Sequence, residues 1–155
     1  MNTSAQIAKH FREVIFGGNW CTVNLKDTVS DVTWEQANTQ VHSFNTITAL
    51  TYHIGYYITA VLKVLEGGPL DAHDKFSFDH PAINSEADWQ QLQQKIWEEA
   101  HTFAKLIEQL PEEIIFENFI DGKYGIYFRN LVGIIEHTHY HLGQIVLIKK
   151  LVSEK

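Results

Sequence analysis

The sequence predicts an all-α fold, a four-helix bundle with long crossover connections. Four segments repeat their apolar residues at helical spacing, and glycine or proline closes three of them. Long stretches separate the helices, which suits a bundle whose chain order is not simply up-down-up-down.

The first helix runs from about Thr3 to Phe16: Ile7, Phe11, Val14 and Ile15 share a face, and Gly17-Gly18 stops it. A polar loop follows, with Trp20, Val23, Leu25 and Val29 expected to tack it onto the bundle. Thr33 reads as the N-cap of a short turn, Trp34 to Ala37, where Glu35 and Gln36 supply the acidic or amide side chain expected after a cap. The second long helix spans roughly Val41 to Leu65, with Ile47, Thr51, Ile54, Ile58, Val61 and Leu65 as its stripe and Gly67-Gly68-Pro69 as its end. Ser85 caps a third, about Glu86 to Leu110, whose stripe is Trp89, Leu92, Ile96, Phe103, Ile107 and Leu110. Glu117 to Phe128 reads as an excursion or small hairpin around Asp121-Gly122. The fourth helix covers about Arg129 to Val152.

With 155 residues, the chain fits one domain, residues 1–155. A net charge of -7 argues against nucleic acid and anionic membrane surfaces, which call for basic patches. The lone Cys21 excludes an intramolecular disulfide. The first dozen residues are too polar for a secretory signal, and no apolar run approaches a membrane span; a soluble cytoplasmic protein is expected.

Nine histidines need an explanation. At about 100° per residue, Ile134, His137, His141, Ile145, Ile148 and Val152 fall within one inward stripe, and His139 falls on the far side. His137 and His141 are thus about 40° apart and one turn apart, able to reach one point beside the helix. Buried imidazoles need partners for their nitrogens. A metal ion meets that need, and so do hydrogen bonds to backbone or hydroxyls. His53 sits about 120° from the centre of the second-helix stripe. Taken alone it reads as a surface or hydrogen-bonded residue, but its neighbours Tyr52, Ile54, Gly55, Tyr56 and Tyr57 are apolar or aromatic. His10 lies on the flank of the first helix, His101 on the outer face of the third, and His42, His73 and His80 in or near loops, where solvent is the simpler reading; His10 is the reserve ligand.

The usual catalytic sets are missing: there is no G-x-S-x-G elbow, P-loop, G-x-G-x-x-G or H-E-x-x-H. Cys21 has no signature pairing it with a histidine, and Glu112, Glu113 and Glu117 read as a solvated acidic patch. No catalytic side chain is assigned.

The stretch Glu136-His-Thr-His-Tyr-His-Leu-Gly-Gln-Ile145 is similar to the H-x-x-Y-H-x-G-Q-I signature of the DinB-like/YfiT-like superfamily of bacterial four-helix proteins. Phe44 to Ile54 resembles that family's helix-two segment, which ends in H-I, and the order of elements fits nearly the whole chain. The resemblance implies a four-helix bundle binding one divalent metal, zinc or nickel, through His53, His137 and His141. It implies a metal-dependent enzyme of thiol S-transferase or hydrolase type, acting on a small-molecule substrate such as a low-molecular-weight thiol. Despite the family's DNA-damage name, it implies no DNA binding. Homodimers are common in the family, and Tyr56, Tyr57, Phe76, Phe78, Tyr124, Tyr127 and Phe128 are more aromatic surface than so small a bundle readily buries. Tyr140 and Gln144, on a flank of the fourth helix, are the candidates for orienting the ligand imidazoles. The competing reading is a non-catalytic binding or scaffold protein of the same fold, with a vacant or structural metal site.

Overall fold

In a computed structural model that describes residues 2–153, the chain is all-helical, with no strand among the described residues. The ends of the expected domain, Met1 and residues 154–155, lie outside them. Six α-helices follow in order: α1 (Thr3–Phe16), α2 (Leu25–Val29), α3 (Trp34–Ala37), α4 (Ile47–Leu65), α5 (Glu86–Gln109) and α6 (Tyr127–Ser153).

Each boundary has a local cause. Asn2 caps α1 by accepting from the Ala5 N–H, and the chain leaves that helix through Gly17 and Gly18 at φ 109° and 99°, where a side chain would strain the backbone. Asn24 caps α2, and Thr33 with Gln36 forms a reciprocal capping box at α3. The second long helix starts at Ile47, later than its periodicity suggests. Thr46 accepts from the Ala49 N–H as N-cap, and His42, at φ 49°, lies outside the right-handed helical region. Ser85 caps α5, and Pro111 follows its end. Before α6 the chain makes a tight hairpin: Asn118 and Ile126 form an antiparallel bridge, and the Phe119 N–H donates to the Gly125 carbonyl at 2.8 Å.

Only part of the 17–46 connection packs as expected. Leu25 and Val29 are buried, whereas Trp20 is 96% exposed and Val23 also faces solvent. α2 holds Leu25 and Val29 on one side, and the residues before it have no helix to aim them inward. The connection is tied down by Trp89 Nε1, which donates to the Val32 carbonyl at 2.8 Å, and by Lys149 Nζ, which donates to the Thr28 carbonyl at 2.9 Å.

The four long helices pack in a closed circuit in which α1 touches α5 and α6, and α4 touches the same two. Consecutive helices α1 and α4 are therefore diagonal, as are α5 and α6. Phe11, Trp89, Phe103, Ile54, Ile58 and Ile145 fill the centre, each worth about 1.5–3 kcal/mol on burial. Among the described residues no helix is long and apolar enough to cross a membrane.

Two glycines make opposite expectations. An added Cβ at Gly55 would sit 2.7 Å from Ile96 Cγ1, so α4 and α5 approach closely there; at the exposed Gly143 it would meet nothing within 4 Å. Gly143→Ala should stabilise by about 0.5–1 kcal/mol through helix propensity. Gly55→Ala should destabilise by about 1–3 kcal/mol through overpacking. Urea denaturation midpoints measure both, and equal signs would contradict the packing described.

Candidate metal centre

His53 leaves α4 on a flank that a lone amphipathic helix would show to solvent, yet it is 5% exposed. The segment between α4 and α5 folds back across that flank. A short 3₁₀ turn, Asp74–Phe76, leads into buried Ser77, whose carbonyl lies 3.3 Å from His53 Nδ1. Phe78 then stacks on the His53 ring at 3.9 Å between centroids and 7° between planes. His137 and His141, one turn apart on α6, meet it from the other side: their centroids lie 4.8 and 4.6 Å from that of His53. His53 Nε2 and His137 Nε2 are 3.0 Å apart, and one ring nitrogen from each of the three histidines falls within 4.8 Å of the others. The three are close enough to bind one metal ion.

Hydrogen bonding sets the tautomers. The Ser77 carbonyl can only accept, so His53 carries its proton on Nδ1 and presents a bare lone pair at Nε2. His141 Nδ1 donates to Gln144 Oε1 at 2.7 Å, which leaves Nε2 as its lone-pair nitrogen. Only His137 can supply a proton to the gap, so the cluster is short of donors, and a cation is what such a set accommodates. The 3.0 Å separation is within a few tenths of the nitrogen–nitrogen edge of a tetrahedral site with bonds of 2.0–2.1 Å, roughly 3.3 Å. Burial, and then the neighbouring His141 and His53, push His137 down to about 4. Burial followed by His141 lowers His53 as well. Both are thereby neutral at pH 7, the form a metal requires.

Tyr57, one turn beyond His53 on α4, stands at steep angles to the His53 and His137 rings, 84° and 73°, at centroid distances of 5.2 and 5.0 Å. Its hydroxyl donates to Asp74 Oδ1. Burial, reinforced by Asp74, pushes the phenol up to about 12, so it keeps its proton and pins the covering segment to α4.

Of the two residues expected to orient the ligands, Gln144 bonds His141, whereas Tyr140 is 66% exposed and meets His141 only through its ring, at 4.8 Å. His139 does not face outward. It is half-buried, its Nε2 has no hydrogen-bond partner among the described residues, and its ring lies 6.2 Å from that of His10. The wheel with a single inward stripe is wrong for α6 because α1 covers a second side. His10 is exposed beside Glu13, and His101 stacks on Phe16 at 4.2 Å, both outside the cluster. Glu112 is not simply solvated, since it accepts from the Thr3 N–H at 3.0 Å. The roles of Ser77, Phe78, Asp74 and Tyr57 at the cluster are not visible in the sequence. Tyr57 alone left a signal, its four-residue spacing from His53.

Because His137 is held well below its ordinary 6.5, the unfolded chain binds more protons than the native one between about pH 4 and 6.5. Its contribution to stability is full above that window and is lost as pH falls through it. Metal-free protein should therefore lose urea resistance from pH 6.5 to 4 more steeply than His137→Gln. Parallel curves would contradict the half-buried, neutral imidazole.

No family model matches the sequence, and no curated protein matches it. Among solved structures the chain is similar to a conserved protein of locus from Enterococcus faecalis, with a TM-score of 0.68 over 100% of this chain and 99% of that one, at 17% identity. At that identity the likeness shows a shared helical fold.

Proposed function

We propose that this chain is a metal-dependent enzyme of thiol S-transferase or hydrolase type on a DinB/YfiT-like four-helix bundle, with one divalent ion, zinc or nickel, held by His53, His137 and His141. The observation that carries this reading is the convergence of three imidazoles, two with tautomers fixed so that bare lone pairs remain. A divalent ion in such a site supplies Lewis acidity that brings the pKa of a water or a thiol near neutrality. The chain's own residues do the rest. Ser77 and Gln144 hold His53 and His141 in the ligating tautomer, and Phe78 shields one face of the site. Tyr57 and Asp74 keep the covering segment closed over it. A cavity of about 450 Å³ reaches His137 and gives a small molecule its approach.

Elemental analysis of protein purified without an affinity tag tests the centre. One equivalent of metal is expected in the wild type, near zero in His137→Ala and His141→Ala, and nearly one in His139→Ala and His101→Ala. Equal content in all variants would reject the assignment. Loaded protein that turns over no thiol with any electrophile and hydrolyses no ester or amide would favour a binding or scaffold role.

We also propose that two copies pair. Several of the candidate interface aromatics are engaged within the chain: Phe78 on His53, Tyr57 on Asp74, Tyr127 on Phe119 and Phe128 on Phe116. Better support comes from Tyr140, Leu147 and Leu151, exposed on one row of α6, with the two leucines beside Phe44. Light scattering should report twice the 17.9 kDa chain mass, and Leu147→Glu should halve it. A wild-type monomer at micromolar concentration would contradict the pairing.

A further inference from the structure

Arg129, Gly133 and His137 recur every four residues on α6, so they share one face and line the same cavity. The two ends of that row are about 12 Å apart along the helix, at about 1.5 Å per residue. Between them the wall is bare: a Cβ at Gly133 would meet nothing within 4 Å, so packing does not require glycine there. Val61, Leu70, Phe119 and Ile134 make the other walls apolar.

Charge along this cavity is polarised. Asp74 and Glu136 gather near His137, and Asp74 is already engaged by the Tyr57 hydroxyl. The far end carries Arg129, and Lys123 Nζ lies 5.1 Å over the ring of Tyr124, another lining residue. Arg129 Nη1 donates to the Tyr124 carbonyl at 2.9 Å, and the guanidinium has no carboxylate partner among the described residues. Gly125, at φ 80°, fits its stem closely, since a Cβ there would lie 3.2 Å from Arg129 Cδ. The head group is thus positioned while most of its five donors remain uncommitted, in the planar fork that matches a carboxylate.

From this we infer that the ligand of the cavity is an elongated molecule with an apolar body and a terminal carboxylate. Arg129 takes the carboxylate, and the opposite end reaches the histidine cluster. The inference rests on the metal-dependent reading for what happens at that end. In the metal-free protein Asp74 and Glu136 disfavour a carboxylate at the His137 end, which leaves Arg129 as its partner.

Octanoate and octanol serve as probes in a ¹⁵N NMR titration of the metal-free protein. Octanoate should bind at least tenfold more tightly, with shifts at Gly133, Tyr124 and Arg129. Arg129→Gln should erase that preference, a loss of roughly tenfold to a hundredfold for a charge-assisted hydrogen bond. The substitution is at an exposed position in the first turn of a helix, where the dipole does not favour a cation, and it removes one exposed hydrogen bond, to the Tyr124 carbonyl. Gly133→Leu should abolish binding of both probes while the helical spectrum is kept. Equal binding of the two probes, a preference that survives Arg129→Gln, or shifts confined elsewhere would overturn the proposal. A second titration follows the sulfur-to-cobalt charge-transfer band of cobalt-loaded protein with mercaptooctanoate and mercaptooctanol. If cobalt fails to bind while octanoate is still selected through Arg129, the metal reading falls and the carboxylate site stands. If cobalt binds and both thiols titrate alike, the carboxylate site falls alone.

Discussion

Three imidazole rings enclosed between α4, α6 and a returning loop must place their ring nitrogens with little help from water. Each buried nitrogen left unpaired costs about 1–3 kcal/mol, and this pressure organises the neighbourhood. It draws the Ser77 carbonyl onto His53 and the Gln144 amide onto His141, which removes one nitrogen of each ring from the problem. The nitrogens that remain face one another, with His53 and His137 only 3.0 Å apart. Protonating all three would place like charges at contact distance in a half-dry site. Burial and mutual repulsion therefore keep His53 and His137 neutral, and neutral imidazoles that face each other suit a cation.

The chain order makes this arrangement available. α4 and α6 are far apart in sequence but adjacent in the helix circuit, so one histidine from α4 meets a pair from α6. The close approach at Gly55 seats α4 against α5 on its other side and leaves the histidine flank turned toward α6. The stretch after α4 then closes over that flank, held by Tyr57 on Asp74 and by Phe78 on His53. The hairpin before α6 sets the Tyr124 carbonyl against Arg129, at the other end of the cavity. One helix face thus joins a site suited to a cation with a site suited to an anion.

Much of this was legible in the sequence because periodicity reports what a helix buries. The apolar stripes located α1 and α5 within a residue, and the four-residue spacing marked His137 and His141 as neighbours. The start of α4 was misread because Val41 continues the apolar rhythm while Thr46 supplies the cap, and local hydrogen bonding won. α2 escaped notice because five residues are too few to show a period. His139 was misassigned because a helix with two packed sides has no single outward face. Ser77 and Phe78 were unreadable because their approach to His53 is a property of a loop that returns from two dozen positions away, and no local pattern encodes it.

Anomalous diffraction from crystals of tag-free protein, collected above and below the zinc and nickel absorption edges, tests the metal centre directly. One anomalous peak is expected between α4 and α6, about 2.0–2.2 Å from a nitrogen of each of His53, His137 and His141, with Ser77 and Gln144 still bonded to the outer nitrogens. A metal-soaked crystal with no peak there, or with a peak coordinated by other residues, would contradict it.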